Sequence, residues 1–221
     1  MCFGSDESTC PTDNLYRIIG VFDNKIKLIK TTSIGKNYWS ADHSFSNDWT
    51  TSDFNINILN GSYLNSLEDS FNNLIYTGDW YIGGMSESNG KNTVKIAYTY
   101  EIENNKNSEP YKNKIGLMYV SDYGYAASPE NWNTTLDNYN NDANRNNNWL
   151  YSGMIEWLLT PTPPDLAFRI ESVGSIGVDY TYEYYYAETF AYLETRPTFY
   201  LKSDVTYVSG TGTESDPYRI A

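Results

Sequence analysis

Helical spacing is confined to one stretch of this chain, and runs of β-branched and aromatic residues stand on both sides of it. That arrangement leaves a mixed architecture as the reading. Thr51 or Ser52 can cap a helix near 50–60 whose apolar residues are Phe54, Ile56 and Leu59, with Asn60-Gly61 as its stop. Ser62 opens a second helix, near 62–76, with Tyr63, Leu64, Leu67, Phe71, Leu74 and Ile75 on one face and Glu68-Asp69 outward. Upstream, Leu15 to Phe22 and Ile26 to Lys30 flank Asp23-Asn24 and read as a hairpin, the second arm alternating apolar and basic residues.

Downstream, Trp80-Tyr81-Ile82 and Thr93 to Tyr98 read as short strands, residues 103–113 as a polar linker, and Ile115 to Val120 as a buried strand. A long polar excursion around Trp132 follows. Leu166, Phe168 and Ile170 then alternate with polar or small residues, Gly174-Ser175 turns the chain into Ile176 to Val178, and Arg196 to Lys202 makes a last strand. Early strands, two helices and a terminal set of antiparallel strands give an α+β, loop-rich outline. No period of 20 to 50 residues repeats. The expected organisation is an N-terminal segment, 1–13, and a single domain, 14–221.

The chain carries 15 Lys+Arg against 28 Asp+Glu, a formal charge of −13, so a nucleic-acid partner is not expected: its phosphates would be repelled over most of the surface. No run is long and apolar enough to cross a bilayer, and membrane association is expected only through a segment absent from this sequence. Cys2 and Cys10 are the two cysteines, eight residues apart, and could close a small disulfide loop of the kind that oxidising compartments allow.

Several segments then stand in a telling order: Tyr16 to Val21, Gly116 to Ala126, Asn148 to Tyr151 with Glu156-Trp157, Arg196 to Leu201, and Ser209 to Tyr218. Together they resemble a group of surface proteins of gut Firmicutes and Mollicutes, often made with a pilin-like N-terminal segment. That group looks like a branch of the C-type-lectin-like fold, in the version shared with formylglycine-generating enzymes and with the variable proteins of diversity-generating retroelements. The resemblance implies an extracellular, surface-attached bacterial module. Its scaffold would present a variable surface just before the Arg-Pro strand, and a retroelement is the agent the resemblance suggests.

The densest aromatic run lies there. Ligand-binding residues are expected at Glu171, Asp179, Tyr180, Tyr182, Glu183, Tyr184, Tyr185, Tyr186, Phe190 and Tyr192, where phenol rings would supply rigid contact area with a polar tip. The partner would be a protein or a glycan on another cell. The competing reading is a structural pilus or adhesin subunit whose aromatic surface meets neighbouring copies, and plain strand packing would account for alternate tyrosines. Enzymatic activity is not expected: formylglycine-generating enzymes need a cysteine pair in the C-terminal half, and no cysteine follows Cys10. His43, the single histidine, sits in a polar loop and reads as exposed rather than catalytic. No cofactor is expected; calcium is the alternative, but Pro129-Glu130-Asn131 has its residues in the wrong order for a sugar-binding calcium loop, and no Asp-x-Asp-x-Asp run exists. Trp149 and Trp157 are expected to anchor the core, and Arg196 to pair with a carboxylate or with backbone carbonyls.

Overall fold

A computed structural model describes residues 1–39, 47–140, 147–163, 165–181 and 192–221, without the side chains of 89, 90 and 180. The first hairpin forms as expected. β1 (Tyr16–Phe22) pairs antiparallel with β2 (Lys25–Lys30). Asp23 and Asn24 turn the chain at φ 48° and 61°, a left-handed pair that short polar side chains tolerate and that matches the twist of the strands. β3 (Lys36–Asn37) follows.

The helical stretch is one run rather than two. A π-helical segment, Phe54–Tyr63, passes through Asn60-Gly61 without stopping and continues into α1 (Leu64–Ser66). Asn60 does not end the helix because its side chain is used elsewhere: Nδ2 donates to the Ile115 carbonyl and Oδ1 accepts the Ile115 N–H, both at 2.9 Å. The break comes at Leu67, whose backbone is extended. A single turn, α2 (Asp69–Asn72), precedes β4 (Ile75–Tyr76), so the predicted second helix is broken at Leu67-Glu68 and ends by Asn72.

β5 (Gly78–Trp80) pairs with β6 (Tyr111–Asn113), which lies inside the stretch read as a linker. Between them come α3 (Glu87–Gly90) and α4 (Val94–Tyr98), the latter running into a π-helical segment, Thr99–Glu103. The strand predicted at Thr93–Tyr98 is therefore a helix. Its β-branched content favoured a strand, but Val94, Ala97 and Glu101 are buried at helical spacing. Likewise β7 (Ile115–Gly116) is only the start of the strand expected to reach Val120. The chain turns into α5 (Val120–Tyr125) because carboxylates satisfy its first N–H groups: Asp122 accepts from Tyr119 at 2.8 Å, and Glu101 accepts from Val120 at 2.9 Å and Ser121 at 2.8 Å.

The C-terminal part supplies β8 (Glu156–Thr162), β9 (Leu166–Ile170), β10 (Ile176–Tyr180), β11 (Leu193–Glu194), β12 (Thr198–Leu201), β13 (Tyr207–Ser209) and β14 (Arg219–Ile220). One five-stranded sheet has the order β1-β2-β12-β4, with β7 also on β12; the other runs β10-β9-β8-β11-β3. All pairings are antiparallel except β8 with β11. The protein is thus mixed α+β with several antiparallel sheets. The two chain ends meet, Cys2 donating to the Tyr218 carbonyl at 2.9 Å.

Two apolar clusters share the strands. β2 sends Leu28 into one and Ile29 into the other; β8 sends Trp157 and Leu159 into the first and Leu158 into the second. Both faces of these strands are therefore covered. Glu156 and Arg196 link the sheets where β8 meets the approach to β12. Arg196 donates to both carboxylate oxygens of Glu156, at 2.6 and 2.8 Å, and to the Leu150 carbonyl at 2.7 Å, as the Arg-Pro reading anticipated.

Candidate functional site

The aromatic segment singled out by the sequence falls largely outside the described residues: Tyr182, Glu183, Tyr184, Tyr185, Tyr186 and Phe190 all lie there, as does His43. Its flanks are described. Tyr180 ends β10, and Tyr192 is exposed, its ring 4.7 Å from that of Tyr38. Glu171 and Asp179 are brought together by Arg169, which bonds Glu171 at 2.9 Å and also Asp179. Both carboxylates are therefore held by a neighbouring guanidinium on the β9–β10 hairpin. Cys2 and Cys10 are joined in a disulfide, with Cα atoms 5.8 Å apart.

A cleft of about 580 Å³ opens elsewhere, between the first sheet and the helices. Phe22, Tyr76 and Tyr200 form its sheet wall, carried by β1, β4 and β12. Tyr98 and Tyr125, from α4 and α5, and Trp149, from the loop before β8, also line it. The rings buttress one another: Phe22 and Tyr200 lie edge to face at 6.3 Å, as do Tyr98 and Tyr125 at 6.1 Å. Trp149, expected in the core, is instead 40% exposed here. The residues on each side of it take the inward positions. Leu150 is fully buried, and Asn148 donates to the Tyr123 carbonyl at 2.8 Å, which leaves the indole to face the opening.

The floor holds a buried ion pair. Lys27, only 1% exposed, places Nζ 2.5 Å from Asp122 Oδ2. Four rings surround the ammonium, with centroids 4.5 Å (Tyr119), 5.3 Å (Tyr200), 5.5 Å (Trp80) and 5.7 Å (Phe22) away. Burial works against the charge, but Asp122 and then the Tyr200 hydroxyl outweigh it and hold the lysine above its ordinary value. Burial likewise raises the Tyr119 and Tyr200 phenols. Trp80 reaches this position only because Gly116 is bare: a Cβ there would lie 2.8 Å from its ring.

At the rim, Lys25 lies 4.6 Å above the Tyr76 ring and donates to the Asp23 carbonyl at 3.2 Å. Asp79 bonds Lys112 at 2.6 Å across β5 and β6. Lys106 and Asp23 stand exposed at the edge. Among the described residues no cluster of His, Cys, Asp and Glu could hold a metal ion. The sequence reading missed this cleft. Lys27 reads as the outward half of an alternating strand, and nothing local marks Asp122, 95 residues away, as its partner. No family model matches the chain, and neither do curated proteins or solved structures.

Proposed function

We propose that the chain is a ligand-recognition module, on a C-type-lectin-like scaffold, that works at the outer surface of a bacterial cell. The observation that carries this reading is the cleft itself. Its walls present ring faces and edges, while the charged pair in its floor is locked together, so the site offers contact area rather than a reactive group. A protonated lysine held by Asp122 is a poor nucleophile and a poor base. The Tyr182–Tyr186 run, which follows β10 in the chain, would add a second aromatic contact region. The disulfide agrees with an oxidising setting.

Binding to intact cells of a mixed microbial community, read by flow cytometry, tests the proposal. Tyr182→Ala/Tyr184→Ala/Tyr185→Ala and, separately, Trp149→Ala are compared with wild type at matched unfolding midpoints. Each aromatic anchor is expected to cost about 1–3 kcal/mol of binding. If neither variant lowers cell binding, recognition through these surfaces is wrong. If the tyrosine variant instead abolishes concentration-dependent self-association, the protein is an assembly subunit.

A further inference from the structure

Resting on the reading of the cleft as a recognition site, we infer that its ligand is a neutral glycan, held by ring stacking without calcium. Charge excludes the alternatives one by one. A polyanion is repelled by a molecule of net charge −13. A cationic peptide finds no net charge to hold it in the cleft, where Lys25, Lys27 and Lys106 are matched by Asp23, Asp79 and Asp122. A lipid chain or an apolar peptide would strip water from Asp23, Lys25 and Lys106 and return no hydrogen bonds. A ligand with no charge, apolar faces and hydroxyl edges suffers none of these costs.

A pyranose has that shape. Its axial C–H groups carry partial positive charge and settle on the negative face of an aromatic ring. The cleft is lined by such rings, Phe22 and Tyr76 from the sheet, Tyr98 from α4 and Trp149 from a loop. The hydroxyls of the same sugar would bond the charged groups at the rim, Asp23, Lys25 and Lys106, in the stronger, charge-assisted manner. A volume near 580 Å³ is in the range of sites for small ligands and accommodates a short oligosaccharide. Phe22 and Trp149 are 41% and 40% exposed, so their rings are accessible for stacking.

Isothermal titration of the intact chain in EDTA tests this. The neutral probes are maltotetraose, cellotetraose and triacetylchitotriose; the comparison probes are oligogalacturonate, oligolysine and a proline decapeptide. At least one neutral oligosaccharide is expected to bind. Phe22→Ala and Trp149→Ala should each weaken it about fivefold or more with the unfolding midpoint unchanged. Failure of all three neutral sugars overturns the inference, as does sugar binding that survives both substitutions. If the sugars fail while the proline peptide binds and loses affinity in Trp149→Ala, the cleft is a recognition site for another ligand class. If no probe binds, the glycan inference falls, and the cell-binding measurement decides the broader reading.

Discussion

Removing one member of the Lys27–Asp122 pair should harm the protein far more than removing both. At 2.5 Å the two charges attract by about 7 kcal/mol at an effective dielectric constant near 20. Stripping water from each ion costs several kcal/mol, so the pair as a whole contributes little net stability. Each single substitution leaves a buried charge behind. Asp122→Asn keeps an acceptor for the Tyr119 N–H but strands an ammonium that is 1% exposed among four rings. Lys27→Met keeps the volume but strands a carboxylate that is 8% exposed. Each is expected to cost about 3–5 kcal/mol. The double variant should lie within about 2 kcal/mol of wild type, because a methionine and an amide fill the same space with no charge to solvate. Urea denaturation of all four proteins closes the cycle, and the coupling should be at least about 2 kcal/mol. The pair also has a pH signature. Because the folded lysine is raised, its contribution is fully present below the ordinary lysine range and is lost as pH rises through the folded value. Additive single and double effects would refute the reasoning and show that water already reaches the pair.

Two further outcomes follow from buried groups elsewhere. Reducing Cys2–Cys10 should lower stability by about 2.5 kcal/mol from loop closure alone; calorimetry with and without reductant reads it, and faster hydrogen exchange at Tyr16, whose N–H bonds the Met1 carbonyl, should accompany it. Glu101 is raised by burial, against the opposing pull of Thr160, Ser121 and Val120, so its folded form binds protons more tightly than the unfolded chain and its contribution fades as pH rises through the folded value. The stability advantage of wild type over Glu101→Gln should therefore shrink between acid and neutral pH, and urea midpoints across that range that diverge instead would overturn this assignment.

What the sequence made legible follows the range of the forces involved. The β1–β2 turn at Asp23-Asn24, the β9–β10 hairpin, the last strand and the Arg196 pairing rest on local preference or on a charge that had to find a partner, and all are seen. The errors arise where a distant contact overrules a local signal. Asn60-Gly61 looks like a helix stop, yet Asn60 is claimed by Ile115 across 55 residues. Val94 to Tyr98 has the composition of a strand, yet it is helical, which lets Glu101 reach the start of α5.

The cleft belongs to the second kind. Its aromatic residues come from β1, β4, β12, α4, α5 and the loops holding Tyr81, Tyr119 and Trp149, and no window of sequence contains more than a few of them. A run such as Tyr180 to Tyr186 attracts notice because its rings are adjacent in the chain. Phe22, Tyr76, Tyr98, Tyr125, Trp149 and Tyr200 are adjacent only in space, and Phe22 and Tyr200 lie over a buried lysine whose partner is equally distant in sequence. A cleft assembled from both sheet and helices is tied to the packing of Lys27, Trp80 and Gly116, so its floor resists substitution and only its rim, at Phe22, Lys106 and Trp149, is open to variation.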